Sequence, residues 1–519
     1  MLKRLFKRNK SAERVYSDPE PQPDVPIDPD LDTNIEYISA VLGNSPDVSM
    51  RRLVLPLETG EKLIVFLAKI DGLVDNTAVQ DLVLEPLLSE PLAQLDGDPI
   101  NQIKQRLMVK KITLVSDLNQ GVFRILEGAT LILIQGVTQG ILVHAPGYEE
   151  RAIQEPPSEA AVKGPREGFV ESISTNMSLL RRRIHHPALR FESVNIGDYS
   201  RTNVIIGYVE GIVDPELVGR VKSRLSQVDV DSITDSGEIE QYIEDTPFTL
   251  FPTIGNTERP DKAAALIMEG RIVLMTDGSP VALTVPHLFV QSFQSSEDYY
   301  SRPYYTSLVR VLRYFSFLIS ISLPSLFIGA ANFHKEMIPS ELVVSMAEAR
   351  EKVPFPVVME VVMMAIIFEL VREAGVRMPR PIGQAVSIVG ALILGQVSVQ
   401  AGLVGAPTII VVALSIIMAF VITPIADVTG VLRIALIAPT ATFGMYGFII
   451  SMIALITHMV SLTSLGVPYM APLAPFYPRD LKDTFLRLPW MWIRERPKSI
   501  PNRRSKRIHQ LPGRKGGNS

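Results

Sequence analysis

The chain has 519 residues, 47% of them apolar and 20% charged, with 51 Lys/Arg against 55 Asp/Glu, a net charge of −4 and no cysteine. Its mean hydropathy of +0.21 excludes a disordered chain, which needs low hydrophobicity and high net charge, and its length excludes a single compact core. The charge balance excludes a global nucleic-acid footprint, and the missing cysteines exclude disulfides, thiolate metal sites and thiol catalysis.

Those averages join two unlike parts. Tyr314 to Met470 holds 7 Lys/Arg and 8 Asp/Glu, about 10% of its length, whereas the remaining residues are about 25% charged, an ordinary globular value. A soluble region therefore precedes a low-charge block suited to a membrane.

Residues 1–30 are rich in Pro and charge and read as a flexible lead-in. The five basic residues of Met1–Lys10 precede no apolar run of signal-peptide length, so the segment reads as a basic surface arm or as a weak contact with anionic lipid. Residues 31–145 read as a first soluble subdomain. Strands are expected at Leu53–Pro56, Leu63–Ile70, Gly121–Leu126, Thr130–Gln135 and Gly140–His144, with a helix over Ala78–Glu85 ended by Pro86. Pro146, Pro156, Pro157 and Pro165 mark 146–167 as a linker.

A second subdomain, 168–300, opens with strand Asn203–Val209. A helix begins at Asp214-Pro215-Glu216 with its cap and N1 proline, followed by a strand Val228–Ile233 and short helix Ser236–Glu244. Helix Pro260–Glu269 is closed by Gly270, and Arg271–Thr276 pairs with Val281–Val285 about Asp277-Gly278-Ser279-Pro280. The soluble region is expected to be α+β or α/β in two subdomains.

The block 301–475 is expected to be a polytopic α-helical membrane domain. Tyr314–Phe333 is charge-free over 20 residues, enough to cross a hydrocarbon core of about 30 Å. Pro356–Val371 is apolar but carries Glu360 and Glu369, which should face protein or water rather than lipid. Ile382–Ala426 has no charge over 45 residues and splits at Gly402–Pro407 into two spans, and Val431–Val460 holds only Arg433, with Pro439 and Gly444 inside. The tail 476–519 is basic; from Arg479 onward it has 12 Lys/Arg against 3 Asp/Glu. With basic residues also before the first span, both flanks read as cytoplasmic, which demands an even number of crossings. Five apolar segments then imply about four spans plus one partial or re-entrant element.

Chemistry-bearing motifs are few. The sequence has no GxxxxGK[ST], HExxH or GxSxG, so an enzyme, a cofactor and a metal site are not expected. Arg181, Arg182 and Arg183 beside His185 and His186 read as an exposed basic face or partner contact, or as a phosphate site. Glu258-Arg259-Pro260-Asp261 reads as acids at a helix N-terminus rather than an acid–base pair.

Long ordered strings do resemble a family. They are Gly164-Pro165-Arg166-Glu167-Gly168-Phe169, Leu180-Arg181-Arg182-Arg183-Ile184, Thr257-Glu258-Arg259-Pro260-Asp261, Glu269-Gly270-Arg271 and Asp277-Gly278-Ser279-Pro280. Around the apolar block come Phe333-His334-Lys335-Glu336-Met337-Ile338-Pro339, Arg372-Glu373-Ala374-Gly375, Arg377-Met378-Pro379-Arg380-Pro381-Ile382-Gly383-Gln384-Ala385 and Gly466-Val467-Pro468-Tyr469. Over residues 35–495 the chain resembles the A subunit of the GerA family of bacterial spore germinant receptors, with the SpoVAF-type proteins as close relatives. The resemblance implies a subunit of a complex in the spore inner membrane, with the soluble domain and tail on the core side. Its implied partners are a transporter-like, nutrient-binding B subunit and a lipoprotein C subunit. It also implies a homo-oligomer, such as a pentameric ring, forming a nutrient-gated cation channel. The motif residues Arg166, Glu167, Arg181, Arg182, Arg183, Glu258, Arg259, Pro260, Asp261, Asp277, Arg380 and Gln384 read as structural or subunit contacts.

Pore or gating candidates are Glu360, Glu369 and Arg372. The two Glu stand about 2.5 helical turns apart and point to opposite faces, so one lumen cannot take both. Glu369 lies three residues before Arg372 and can pair with it. That leaves Glu360 as the better candidate, or else as a Glu hydrogen-bonded inside a bundle. A secondary transporter and a membrane-tethered adaptor are the rival classes.

Overall fold

The computed structural model describes residues 24–58, 62–89, 99–145, 163–378 and 393–507, with 91, 147, 156, 159 and 390. Arg380, Gln384, most of the lead-in and the last residues of the tail lie outside the described residues.

In the first subdomain, α1 (Leu31–Leu42) leads into hairpin β1 (Val48–Pro56) and β2 (Lys62–Ile70), followed by a helical run over 76–88 and α2 (Pro99–Arg106). After β3 (Ile112–Val115) come α3 (Leu118–Leu126), β4 (Ala129–Ile134) and β5 (Gly140–His144). The sheet order is β1-β2-β4-β5-β3, antiparallel throughout. Leu55, Val65 and Ile132 on one face pack against Val83 and Ile103 of the 76–88 run and α2. Phe66, Leu131 and Leu133 on the other face pack against Ile38 of α1 and Val122 of α3. Because helices cover both faces, β4 is buried at every position and lacks the polar–apolar alternation of a half-exposed antiparallel strand.

The second subdomain repeats this plan. α4 (Ile173–Arg181) precedes hairpin β6 (Leu189–Ile196) and β7 (Thr202–Val209), then α5 (Pro215–Leu225) and α6 (Ser236–Ile243). β8 (Gly255–Thr257), α7 (Pro260–Ile267), β9 (Ile272–Thr276) and β10 (Ala282–Val285) complete it, in the order β6-β7-β9-β10-β8. Counted within each subdomain the strand order is the same, and again every ladder is antiparallel. The region is therefore α+β, built from two copies of one topology.

Three expectations are corrected. Gly121–Leu126 is not a strand but part of α3: Asp117 caps it through the Asn119 and Gln120 amides, and Leu118, Val122, Ile125 and Leu126 recur at helical spacing. The helix near Ala78 does not end at Pro86. Its middle turn, Gln80–Leu84, widens to a π-helix and Pro86 then opens a last turn to Leu88, where its missing N–H costs little. Val228–Ile233 forms no strand; its Val230 and Asp231 carbonyls accept from the Asp198, Tyr199 and Ser200 amides.

The apolar block starts with α8 (Pro303–Asn332), and α9 (Ser340–Arg350), none of whose residues is buried, links it to α10 (Val357–Arg377). Residues 393–400 are helical, α11 spans Ala406–Phe420 and α12 spans Ala426–Ser461. α8 and α12 are long and apolar enough to cross a membrane. α12 is not one rod: Gly444 has φ 63° and ψ −144°, and the Pro439 carbonyl lies against Gly447. A straight helix would hold residues 439 and 447 about 12 Å apart, so the chain folds back at Gly444, which Phe333 at the end of α8 covers. Both halves then line α8, with Leu432, Leu436, Met452 and Met459 in one cluster with Phe317 and Ile321.

A Cβ added at Gly447 would stand 2.1 Å from the Pro439 carbonyl oxygen, whereas one at Gly430 meets nothing closer than 3.5 Å. Gly447→Ala is expected to destabilise by at least the 1–3 kcal/mol typical of overpacking. The melting temperature of the full chain in detergent should fall for Gly447→Ala and hold for Gly430→Ala.

Candidate functional site

The charged residues singled out in the sequence fall at two joints of the soluble region and inside the apolar block, and a third joint is built from residues the sequence did not mark. The first binds the two subdomains. Arg181, at the end of α4, is wholly buried; its Nε donates to Asp47 Oδ2 at 2.7 Å and its Nη2 to Ser45 Oγ at 3.1 Å. Nη1 donates to the Leu189 carbonyl at 2.9 Å, and the guanidinium stands 4.9 Å from the Phe191 ring centre. Arg182 and Arg183 instead both pair with Glu167, at 3.3 and 2.6 Å. The three arginines thus form no shared anion site.

At the second joint, the linker is pinned to the second subdomain. Arg259, buried, holds Asp261 at 3.1 and 3.0 Å and donates to the carbonyls of Glu159 and Pro165. Glu159 accepts from Thr257 Oγ1, the Glu258 amide and Lys262 Nζ, and Pro260 opens α7. Asp277 accepts from the Ile173 amide at 3.4 Å. Tyr300 donates to Asp261 Oδ2 at 2.6 Å, and burial with that bond pushes its hydroxyl up to about 12. Gly164 lies so close to the Tyr300 ring that a Cβ there would come within 2.7 Å. The linker therefore reaches the short helix Glu297–Tyr300 directly ahead of the apolar block.

The third joint fastens the soluble region to that block. Arg310, about two turns into α8 and wholly buried, donates from Nε and Nη2 to Asp298 Oδ2 at 3.2 and 3.1 Å. Its Nη1 donates to the Asp483 carboxylate at 2.8 Å and the Asp483 carbonyl at 2.6 Å. Arg313 grips the same Asp298, at 3.0 and 2.9 Å. Tyr299 donates to Asp483 Oδ2 at 2.8 Å; burial and that carboxylate hold its hydroxyl well above the usual range, so it stays a donor. Residues 476–507 of the expected basic tail thus pack back onto the second subdomain, enclosing a cavity of about 670 Å³ lined by Glu269, Arg271, Asp480, Asp483 and Arg496 among others. A second grip lies nearby, where Asp245 after α6 accepts from Thr463 Oγ1 and the Gly466 amide.

Inside the apolar block, Glu360 is fully buried. Oε1 takes Arg350 at 3.0 Å, and Oε2 takes the Gly405 amide and Thr408 Oγ1, both at 2.9 Å, at the N-terminus of α11. With Arg350 Nη2 also 2.9 Å away, its acceptor sites are filled within this chain. Glu369 pairs with Arg372, which also holds Asp427 at 3.0 Å; this cluster is open to the surface. Arg433, buried, donates to the carbonyls of Ser320 and Ser415. The Arg310 joint was missed in the sequence because Asp298 and Asp483 lie 12 and 173 residues from their partner. The aromatic-rich Tyr299-Tyr300 before the first span was the available signal.

A two-subdomain α+β region joined by buried ion pairs to a block containing helices of membrane-crossing length defines a class of protein in which a folded region is fixed to an apolar helical block. Residues 36–499 match the model of the Bacillus/Clostridium GerA spore germination protein, and the chain belongs to that family. It is 40% identical to spore germination protein KA of Bacillus subtilis over 91% of this chain and 87% of that one. It is 37% identical to spore germination protein GerLA of Bacillus cereus, over 89% and 94% respectively. The crystallised N-terminal domain of the A subunit of the Bacillus megaterium spore germinant receptor GerK3 is 31% identical, covers 51% of this chain and 98% of its own, and has a TM-score of 0.40.

Removing Asp47 leaves Arg181 buried without its carboxylate, a loss typically of about 3–5 kcal/mol. Asp47→Ala is expected to lower the urea midpoint of the soluble region sharply, and the exposed pair Arg124→Ala hardly at all. Glu240 on α6 carries a carboxyl raised to about 7 by burial and by Glu244. A raised folded pKa means stability present below about pH 4.5 and lost as pH rises through about 7. Glu240→Gln should flatten the fall in melting temperature across that window.

Proposed function

We propose that this chain is the A subunit of a nutrient-sensing germinant receptor in the spore inner membrane, working with a transporter-like B subunit and a lipoprotein C subunit. In this reading it oligomerises into a nutrient-gated cation channel that starts germination. Membership of the GerA family and relatives named spore germination proteins support it. The observation that carries the mechanism is the Arg310 joint, which lets a shift in the soluble region reach α8 without slack.

The apolar helices support about four spans plus one partial or re-entrant element, with α8 and α12 long and apolar enough to cross and α12 folded back at Gly444. An even number of spans keeps the soluble region and the returning tail on one side. Among the carboxylates, Glu360 is spent on holding α9, α10 and α11 together, so the cation-facing role falls to the open Glu369–Arg372–Asp427 cluster. The alternative is a SpoVAF-type accessory subunit or a membrane-tethered scaffold without conductance.

The purified chain is expected to form rings that pass monovalent cations in liposomes. Asp427→Asn should change the cation-to-anion permeability ratio, while Glu360→Gln should lower thermal stability with the ratio kept. Monomers without conductance favour the scaffold.

A further inference from the structure

The segment that follows the apolar block is unusually aromatic, and its outer face is bare. Phe485, Leu486, Trp490, Met491 and Trp492 are all exposed, Trp492 by 60%. Burial of such side chains against water is favourable, so a contiguous exposed set asks for a cover. The position of the segment says what the cover is.

The segment is nailed to the first turns of α8. Ser307 Oγ accepts from the Arg487 amide at 3.0 Å, Asp483 holds Arg310, the Phe485 ring lies 4.8 Å from Tyr314, and Trp490 lies 5.6 Å from Tyr299. Tyr314 begins the charge-free run. α8 itself is 30 residues, about 45 Å, the thickness of a bilayer with its headgroups rather than of hydrocarbon alone. Its outer stripe continues that apolar surface upward through Leu312 and Leu308 to Tyr305 and Tyr304, the last 86% exposed. Trp490 against Tyr299 and Arg487 on Ser307 therefore hold the segment beside the N-terminal turns of α8 that carry Tyr304 and Tyr305, where amphipathic rings would sit between headgroups and acyl chains.

Charge agrees with that placement. Asp483 is turned to Arg310 and Asp480 to the Ser499 amide at 2.7 Å, while the exposed Glu495 pairs with Arg479 at 3.3 Å. Arg479, Lys482, Arg494 and Lys498 are exposed around the segment against the one exposed acid, Glu495. That excess of cations beside exposed rings matches an anionic phospholipid surface.

We propose that Phe485–Trp492, with Tyr304 and Tyr305, forms an interfacial belt seated in the headgroup layer of an anionic bilayer. The belt fixes the depth of the Arg310 joint in the membrane. This rests on the membrane reading given above.

The protein holds only two tryptophans, both in this belt, so its indole emission reports the segment alone. The full chain is reconstituted into phosphatidylglycerol–phosphatidylcholine vesicles carrying lipids brominated near the headgroup or deep in the acyl chain. The expected result is a loss of emission that is larger with the shallow bromine than with the deep one, with weak quenching by aqueous acrylamide. Trp492→Phe and Trp490→Phe should each leave a residual signal of the same kind, and Lys482→Gln with Arg494→Gln should reduce the shallow quenching. Emission quenched by acrylamide and not by bromine overturns the proposal by placing the segment in water. Emission quenched by neither overturns it by placing a second copy of the chain over the rings. A chain that fails to float with the vesicles after alkaline washing overturns the membrane reading itself.

Discussion

Arg310 is the constraint on which the rest depends. Burying a guanidinium costs several kcal/mol unless carboxylates and carbonyls replace its water. Here the replacements come from the end of the soluble region (Asp298) and from the returning chain (Asp483). Neither acid alone would neutralise the site and fill the fork of donors. Arg313 adds a second cation on Asp298, so the cluster balances only when all four charges are present. Three separate stretches of chain are thereby held to one geometry.

The two subdomains prepare that geometry. Each is a five-stranded antiparallel sheet with helices on both faces, and Arg181 locks one to the other across buried Asp47. From α7 the chain of contacts runs through Arg259, Asp261 and Tyr300 to the short helix that carries Asp298. Among the polar motif residues, Arg181, Arg259 and Asp261 act as fasteners between units, and each is buried because its partner is close.

Legibility in the sequence tracked the range of the contact. Capped helices such as Pro215–Leu225, and the hairpin about Asp277–Pro280, announce themselves within a few residues. The charge-free runs gave the apolar helices, although α8 extends eleven residues ahead of Tyr314. Gly121–Leu126 was misjudged because a short apolar run has no decisive period and its cap, Asp117, lies outside the run. The repeated topology was invisible because it lives in strand order and not in side chains. Glu360 and Arg181 were picked out as unusual, but their partners Arg350, Gly405 and Asp47 had no local sign.

The order of synthesis gives the Arg310–Asp483 pair a further meaning. At 5–20 residues per second, roughly 10–35 s separate the two residues on the ribosome, with 173 positions between them. Every apolar helix must be made before the cation receives its second acid. The joint is therefore complete only once the whole apolar block has been made, and a chain interrupted within that block carries a half-neutralised arginine.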